Sequence, residues 1–181
     1  MAAPALVVED GTVVTGANSW VDMAFMDQYC SDMGYTTWGT IESPDSRRIS
    51  AVIRGCRYVV RRYSEEWPGS KVGGRAQTLP WPRDDAYDVD GELIESTEIP
   101  TEVKQAQCEA ALREYVNPGS LTPDYISAQR VVREKVGDLE VQYADDFSTG
   151  AMVPVISTID DILTPIFGRK SSTGVSYFKR A

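Results

Sequence analysis

The chain contains no histidine among its 181 residues, and this absence bears first on catalysis and metal binding. Histidine is the commonest general base and metal ligand, and it completes Ser-His and Cys-His nucleophile pairs. The three cysteines, Cys30, Cys56 and Cys108, are odd in number and far apart. Their spacing favours neither a disulfide framework nor a zinc site. We therefore expect no enzyme, no cofactor and no metal centre, although carboxylate or lysine chemistry stays open.

Long hydrophobic runs are also missing. No apolar stretch approaches the roughly 20 residues of a membrane-spanning helix, and residues 1–8 carry no basic stretch of the kind that opens a signal peptide. We expect a protein that is made in the cytoplasm and does not bind membranes. Its 42% apolar and 25% charged residues are typical of one globular domain. We assign this domain to residues 1–167 and an extended C-terminal arm to 168–181, with Val175, Tyr177 and Phe178 as the arm's apolar residues.

Hydrophobic periodicity predicts a mainly α fold with about four helices and short β-hairpins. The predicted helices span residues 21–33, 47–67, 101–116 and 156–167, with Asn18 or Ser19 capping the first. Hairpins are predicted over residues 5–16 and 131–143, around the turn signals Asp10-Gly11 and Gly137-Asp138. Gly55, inside the second helix, costs about 1 kcal/mol relative to Ala unless another backbone packs against it closely. Ala106, Ala110 and Ala111 of the third helix are small, so that helix can pack closely against a neighbour.

Positive charge is concentrated in one segment of an acidic chain. Residues 47–83 have a net charge of +7, whereas the other 144 residues have a net charge of −16. On a helical wheel, one half of the second helix is apolar and the other half is basic. The basic half consists of Arg47, Arg54, Arg57, Arg61 and Arg62.

Three interpretations of this basic face stay open. It is a solvated face, an interface with an acidic surface of a neighbouring copy, or a strip that binds phosphates. Arginine suits the second because its planar guanidinium binds carboxylates through two hydrogen bonds. The net charge of −9 argues against a protein whose whole surface binds nucleic acid, since such domains are usually basic.

Residues 68–91 form a long stretch rich in Gly, Pro and Trp, and structureless stretches of this length are usually functional or ordered by a partner. Trp67, Trp81 and Tyr87 could stack single-stranded bases, but tryptophans in such a loop more often anchor it on the core. The acidic cluster 84–90 lacks the spacing of a calcium loop. We interpret it as a solvated loop.

The order of several motifs resembles a known family. Ala17-Asn-Ser-Trp-Val21 opens a helix, and the second helix is followed by Gln77-Thr-Leu-Pro-Trp-Pro-Arg83 and later by Lys135-Val-Gly-Asp-Leu-Glu-Val-Gln-Tyr143. This order, over roughly residues 9–168, is similar to the tailed-phage family labelled DnaT-like single-stranded DNA-binding protein. By fold and gene context, members of that family look like head-tail connector proteins.

The connector resemblance implies a structural virion protein in the neck between capsid and tail. Such a head-tail adaptor forms a ring beneath the portal, a dodecamer by analogy with portal symmetry. The ring extends the channel through which genomic double-stranded DNA passes without specific contacts, and it docks a tail-side neck or tail terminator protein. The subunit or portal interface would use Arg47, Arg54, Arg57, Arg61, Trp81, Arg83, Val175, Tyr177 and Phe178.

The family label implies a different function, single-stranded DNA binding in phage replication. That alternative would use Arg47, Arg54, Arg61 and Trp81. Of the two, the sequence favours the connector, because an acidic lumen lets DNA slide whereas a basic lumen would hold its phosphates.

Overall fold

Four helices form the described part of the protein in a computed structural model, which describes residues 4–39, 45–122, 133–136, 139–142 and 156–167. The helices are α1 (Met23–Asp32), α2 (Asp45–Arg62), α3 (Thr101–Val116) and α4 (Ser157–Phe167). Three pairs of short antiparallel strands accompany them: β1 (Ser70–Lys71) with β2 (Arg83–Asp84), β3 (Ala86–Tyr87) with β4 (Leu93–Ile94), and β5 (Arg133–Val136) with β6 (Leu139–Gln142). The predicted mainly α fold with small hairpins is confirmed. Within these ranges no helix is both long and apolar enough to cross a bilayer.

The core is built on the close packing of α2 against α3. A Cβ atom placed on Gly55 would lie 2.5 Å from the backbone nitrogen of Ala111, so the two helices approach too closely for any side chain at this position. The sequence left open whether another backbone packs against Gly55, and the structure shows that the backbone of Ala111 does. Cys30, Cys56 and Cys108 are free and buried.

Helix α2 ends earlier than the sequence pattern predicts. Its last helical residue is Arg62 rather than Trp67. The N–H of Glu66 donates to the carbonyl of Tyr63 at 3.0 Å, which tightens the chain into a turn. Trp67 therefore leaves the helix axis and packs edge-on against Trp20 and Trp81.

The hairpin predicted over residues 5–16 is wrong. In its place, the buried carboxylate of Glu9 accepts hydrogen bonds from three backbone N–H groups, those of Gly11, Val13 and Val14, at 2.9 to 3.0 Å. Because these donors bind the carboxylate, they are not available to a strand ladder. A single parallel bridge, Val8 to Ser19, is the sheet contact formed here.

The cap predicted for α1 is also wrong. Asp22 caps the helix, since its carboxylate accepts the N–H of Phe25 at 2.7 Å. Asn18 instead holds the N-terminal segment, accepting the N–H of Val7 and donating to the carbonyl of Ala5. Gly34 follows the helix with φ of 69°, as expected of the residue that best tolerates the left-handed C′ position.

The second predicted hairpin is confirmed in its register. Val136 pairs with Leu139 and Arg133 with Gln142, which is the antiparallel pairing expected of a hairpin; residues 137–138, the predicted turn, lie outside the described residues. The C-terminal arm, 168–181, lies outside the described residues. Helix α4 ends at Phe167, and the predicted boundary between domain and arm stays a prediction.

Candidate functional site

The loop between β1 and β2 is held in place by the side chain of Gln77. Its Oε1 accepts the N–H of Gly73 at 2.8 Å, and its Nε2 donates to the carbonyls of Leu79 and Pro82, each at 2.9 Å. Gln77 is buried. The stretch that we expected to be functional or ordered by a partner is thus ordered by its own side chains.

Arg83 is the second residue that holds this loop. Its guanidinium donates to three backbone carbonyls, those of Pro68, Gly69 and Pro80. Burial lowers the pKa of Arg83, and the side chain is 91% removed from solvent by the fold. The predicted interface residue Arg83 is therefore an internal support of the loop.

The tryptophans of the sequence motifs form one cluster inside the molecule. Trp67 packs edge-on against Trp20 at 6.3 Å and against Trp81 at 6.2 Å between ring centroids. Trp81 is fully buried and Trp67 is 9% exposed. The interpretation of these tryptophans as core anchors is confirmed, and neither ring offers a face on which a nucleotide base could stack.

Several arginines of the basic face are bound within the chain. Arg54 donates from Nε to the buried carboxylate of Glu114 at 2.6 Å. Arg47 donates to the carbonyl of Tyr115 at 3.0 Å and lies over its ring. Arg47 and Arg54 were both predicted as interface residues. Their guanidinium groups instead join α2 to α3 and are largely unavailable to a partner molecule.

Two arginines of α2 remain exposed. Arg57 and Arg61 lie one helical turn apart on the same face, and neither forms an ion pair within the described part of the chain. Ile53 and Val60, both half-buried, flank them on the helix. We call Arg57 and Arg61 the arginine strip. It is the part of the predicted site that the structure presents to solvent; Val175, Tyr177 and Phe178 lie outside the described residues.

Sequence reasoning missed a buried acidic centre on α3. The carboxylate of Glu109 accepts hydrogen bonds from the hydroxyls of Tyr29 at 3.0 Å and Tyr35 at 2.7 Å, and it pairs with Arg113 at 2.6 Å. A shallow cavity of about 410 Å³ lies beside it. The carboxylate of Glu109 is neutralised by Arg113, and its hydrogen bond with Tyr29 joins α1 to α3. The sequence signal that could have revealed this centre is the acidic residue Glu109 within the alanine-rich run of α3.

The acidic residues 84–90 form no cation site. The Oδ1 atom of Asp88 accepts the backbone N–H groups of Asp90 and Glu92, each at 2.9 Å, and so shapes the turn between β3 and β4. Among the described residues, no three His, Cys, Asp or Glu side chains cluster as a metal ion requires. The predicted solvated acidic loop is what the structure shows.

Comparison with known proteins identifies a family and nothing finer. Residues 4–180 match the family described as "Putative DnaT-like ssDNA binding protein". Neither the curated proteins nor the solved structures returned a match. The family resemblance drawn from the motifs is confirmed, and no comparison bears on a neck or portal role. Because the match spans nearly the whole sequence, the chain belongs to this DnaT-like family.

Proposed function

We propose that the protein binds single-stranded DNA through the phosphates, at the arginine strip on α2. The observation that carries the proposal is the exposure of Arg57 and Arg61 without a carboxylate partner in the described residues. The family description supports single-stranded DNA as the ligand. For this reason we prefer DNA binding to the adaptor function that the sequence favoured.

The expected mode of binding is electrostatic and independent of base sequence. Most single-strand-binding proteins add aromatic stacking to a basic groove, but Trp67 and Trp81 are inside the molecule. Tyr87 is 50% exposed, yet it lies between the exposed acids Asp85 and Asp90, which repel phosphates. The strip is left to act through guanidinium contacts with the DNA backbone.

Salt dependence tests this mode directly. We would measure the fluorescence anisotropy of a labelled oligo(dT) strand while titrating the full-length protein at several salt concentrations. For single strands, log K falls with log salt at about −0.7 per phosphate contacted, so two contacts predict a slope of about −1.4. Raising salt from about 50 to about 200 mM should then weaken binding about sevenfold. Absence of salt-dependent binding would contradict the proposal.

Charge reversal tests the place of binding. The double variant Arg57→Glu with Arg61→Glu should abolish oligo(dT) binding. Arg61→Glu alone should weaken it and flatten the salt slope by about 0.7, because one phosphate contact is lost. The matched control is Arg75→Glu, which reverses one exposed arginine outside α2. An equal effect of the control would mean that net charge, not the strip, governs binding.

A second candidate is a head-tail adaptor that forms a ring with itself beneath a portal. One observation favours it: besides the basic strip, the described residues expose an apolar hairpin, with Tyr87 and Leu93 each about half exposed, in an acidic surround. A subunit with two unlike surfaces is suited to head-to-tail rings. In this function the arginine strip contacts a neighbouring protein subunit. Genomic DNA passes through the ring without being bound, because the chain is acidic overall.

Virion composition distinguishes the two candidates. Quantitative mass spectrometry of purified phage particles would compare this chain with the portal protein. About one copy per portal subunit is the result expected of a closed ring matched to the portal. Abundance in infected cells together with absence from particles would overturn the adaptor function and leave DNA binding as the sole candidate.

A further inference from the structure

The hairpin formed by β3 and β4 presents apolar side chains to solvent. Tyr87 and Leu93 are directly paired across its strands, so their side chains stand together on one face. They are 50% and 53% exposed, and Val89 at the tip is 49% exposed. Their neighbours Ala86 and Ile94 point the other way, into the core. We call Tyr87, Val89 and Leu93 the hairpin face.

The position of this hairpin is fixed by the rest of the fold. The backbone N–H of Val89 donates to the carbonyl of Pro165 in α4 at 2.9 Å. Buried Ile94 belongs to the main core cluster. The hairpin face is therefore exposed on a firmly attached element, and its three apolar side chains are held in a set arrangement.

An acidic rim accompanies the hairpin face along the chain. Six exposed carboxylates lie on the hairpin or directly beside it in the chain: Asp84, Asp85, Asp90, Glu92, Glu95 and Glu98. None of them takes part in an ion pair with another described residue. An apolar centre with a charged rim is the usual anatomy of a protein–protein contact, and the sign of this rim repels nucleic acids and anionic membranes.

The arginine strip has the complementary character. Arg57 and Arg61 are exposed cations, and half-buried Ile53 and Val60 lie beside them. Arginine pairs with carboxylates through two parallel hydrogen bonds and is enriched at interfaces. No ion pair joins the strip to the hairpin within the described part of one chain.

We propose that the hairpin face of one copy docks on the arginine strip of a second copy. The contact joins two different surfaces, so each copy keeps one surface of each kind free. Such heterologous contacts propagate into rings or filaments rather than stopping at a dimer. The inference goes beyond DNA binding and gives the strip a second ligand: the acidic rim and a DNA strand compete for the same two arginines.

The first experiment measures self-association of the full-length protein. Sedimentation velocity over a concentration series at low salt should show species larger than the monomer, and added salt should dissociate them because charge pairs at the rim are screened. Oligo(dT) added in excess should also dissociate them. A protein that stays monomeric at every concentration at low salt would overturn the proposal.

A charge exchange tests the pairing of the two surfaces. Arg57→Glu with Arg61→Glu makes the strip acidic. Reversing four rim carboxylates (Asp90→Arg, Glu92→Arg, Glu95→Arg and Glu98→Arg) leaves two acids among six rim positions and makes the rim basic. Each of these variants alone places like charges together and should associate more than about tenfold more weakly. An equimolar mixture of the two restores opposite charges at both contacts and should recover the large species. If the mixture stays monomeric while both variants keep the native circular dichroism, the proposed pairing is wrong.

A neutral variant separates this proposal from DNA binding. Val89→Ser with Leu93→Ser removes the apolar centre without changing any charge, and the backbone hydrogen bond of Val89 to Pro165 is retained. Self-association should weaken, whereas the oligo(dT) affinity measured at protein concentrations too low for self-association should not change. If the unsubstituted protein self-associates but does not bind oligo(dT), the DNA proposal alone is refuted. If the serine variant self-associates as strongly as the unsubstituted protein, the docking proposal alone is refuted.

Discussion

The side-chain oxygen of Gln107 accepts a hydrogen bond from the backbone N–H of Trp20 at 2.8 Å, across 87 positions of sequence. The amide nitrogen of Gln107 donates to the hydroxyl of Ser19 at 2.7 Å and to the carbonyl of Val52 at 3.2 Å. Gln107, Ser19 and Trp20 are buried. One amide on α3 therefore fixes both the segment before α1 and the middle of α2.

Replacing Gln107 by Leu should destabilise the protein by about 1 to 3 kcal/mol, because it leaves the backbone N–H of Trp20 buried without a partner. The hydroxyl of Ser19 keeps its hydrogen bonds with the backbone of Val21. Urea unfolding followed by circular dichroism measures the change. Gln105→Leu, on a half-buried position of the same helix, is the control and should change stability by less than about 1 kcal/mol.

Gly55→Ala tests the close approach of α2 and α3. Helix propensity alone would make Ala about 1 kcal/mol more stable than Gly. The new Cβ would lie 2.5 and 2.8 Å from the backbone N and Cα of Ala111, so we expect destabilisation of about 1 to 3 kcal/mol from overpacking. Thermal unfolding shows whether the variant is less or more stable than the unsubstituted protein.

A second-site variant makes the Gly55 prediction sharper. Adding Ala111→Gly removes a side-chain contact at 3.0 Å but leaves the backbone atoms in place. The double variant should therefore not regain the stability of the original protein. Stabilisation by Gly55→Ala alone would show that the helices are farther apart than this packing requires.

The helices could be predicted from the sequence because each obeys a local rule. Helix α3 was predicted over 101–116 and is observed over Thr101–Val116, since Pro100 and Asn117-Pro118 bound it on either side. The contact of Gly55 with Ala111 was not predicted, although the sequence shows a glycine in α2 and small side chains in α3. These signals depend on neighbours within a few positions, which a sequence displays directly.

Two of the failures have a common physical cause, a polar side chain whose partner is distant or of an unexpected kind. Glu9 replaces a strand ladder by binding backbone N–H groups, although the surrounding residues carry a hairpin pattern. Arg54 belongs to the basic face by periodicity, but Glu114, 60 positions away, takes its charge. The sequence could therefore locate the basic face but not which of its arginines are exposed.

Alkaline pH should destabilise the protein through Tyr29 and Tyr35. Burial, together with Glu109, raises the pKa of Tyr29, and the hydrogen bond to Glu109 is the main cause that raises the pKa of Tyr35. Because the folded pKa values exceed the unfolded value of about 10, their contribution is complete below pH 10 and is lost as the pH rises above it.

Paired substitutions isolate this alkaline effect from other groups that titrate in the same range. The free energy of unfolding would be measured from about pH 8 to about pH 11, spanning the tyrosine pKa. Tyr29→Phe with Tyr35→Phe should be less stable at neutral pH and should lose less stability above pH 10. Tyr87→Phe, on the exposed hairpin, is the control and should follow the unsubstituted protein. Parallel curves for the double variant would contradict the expected role of Glu109.

Arg83→Lys should destabilise the protein by about 2 to 4 kcal/mol while leaving oligo(dT) binding unchanged in the folded fraction. Lysine keeps the charge but cannot reproduce the planar fork that reaches the carbonyls of Pro68, Gly69 and Pro80 together, and hydrogen bonds from charged groups contribute about 1.5 to 3 kcal/mol each. Arg75→Lys, at an exposed position in the same loop, is the control. Unfolding by urea gives the stability, and anisotropy below the transition gives the binding. If Arg83→Lys weakened binding without lowering stability, Arg83 would contact the ligand, and its internal role would be refuted.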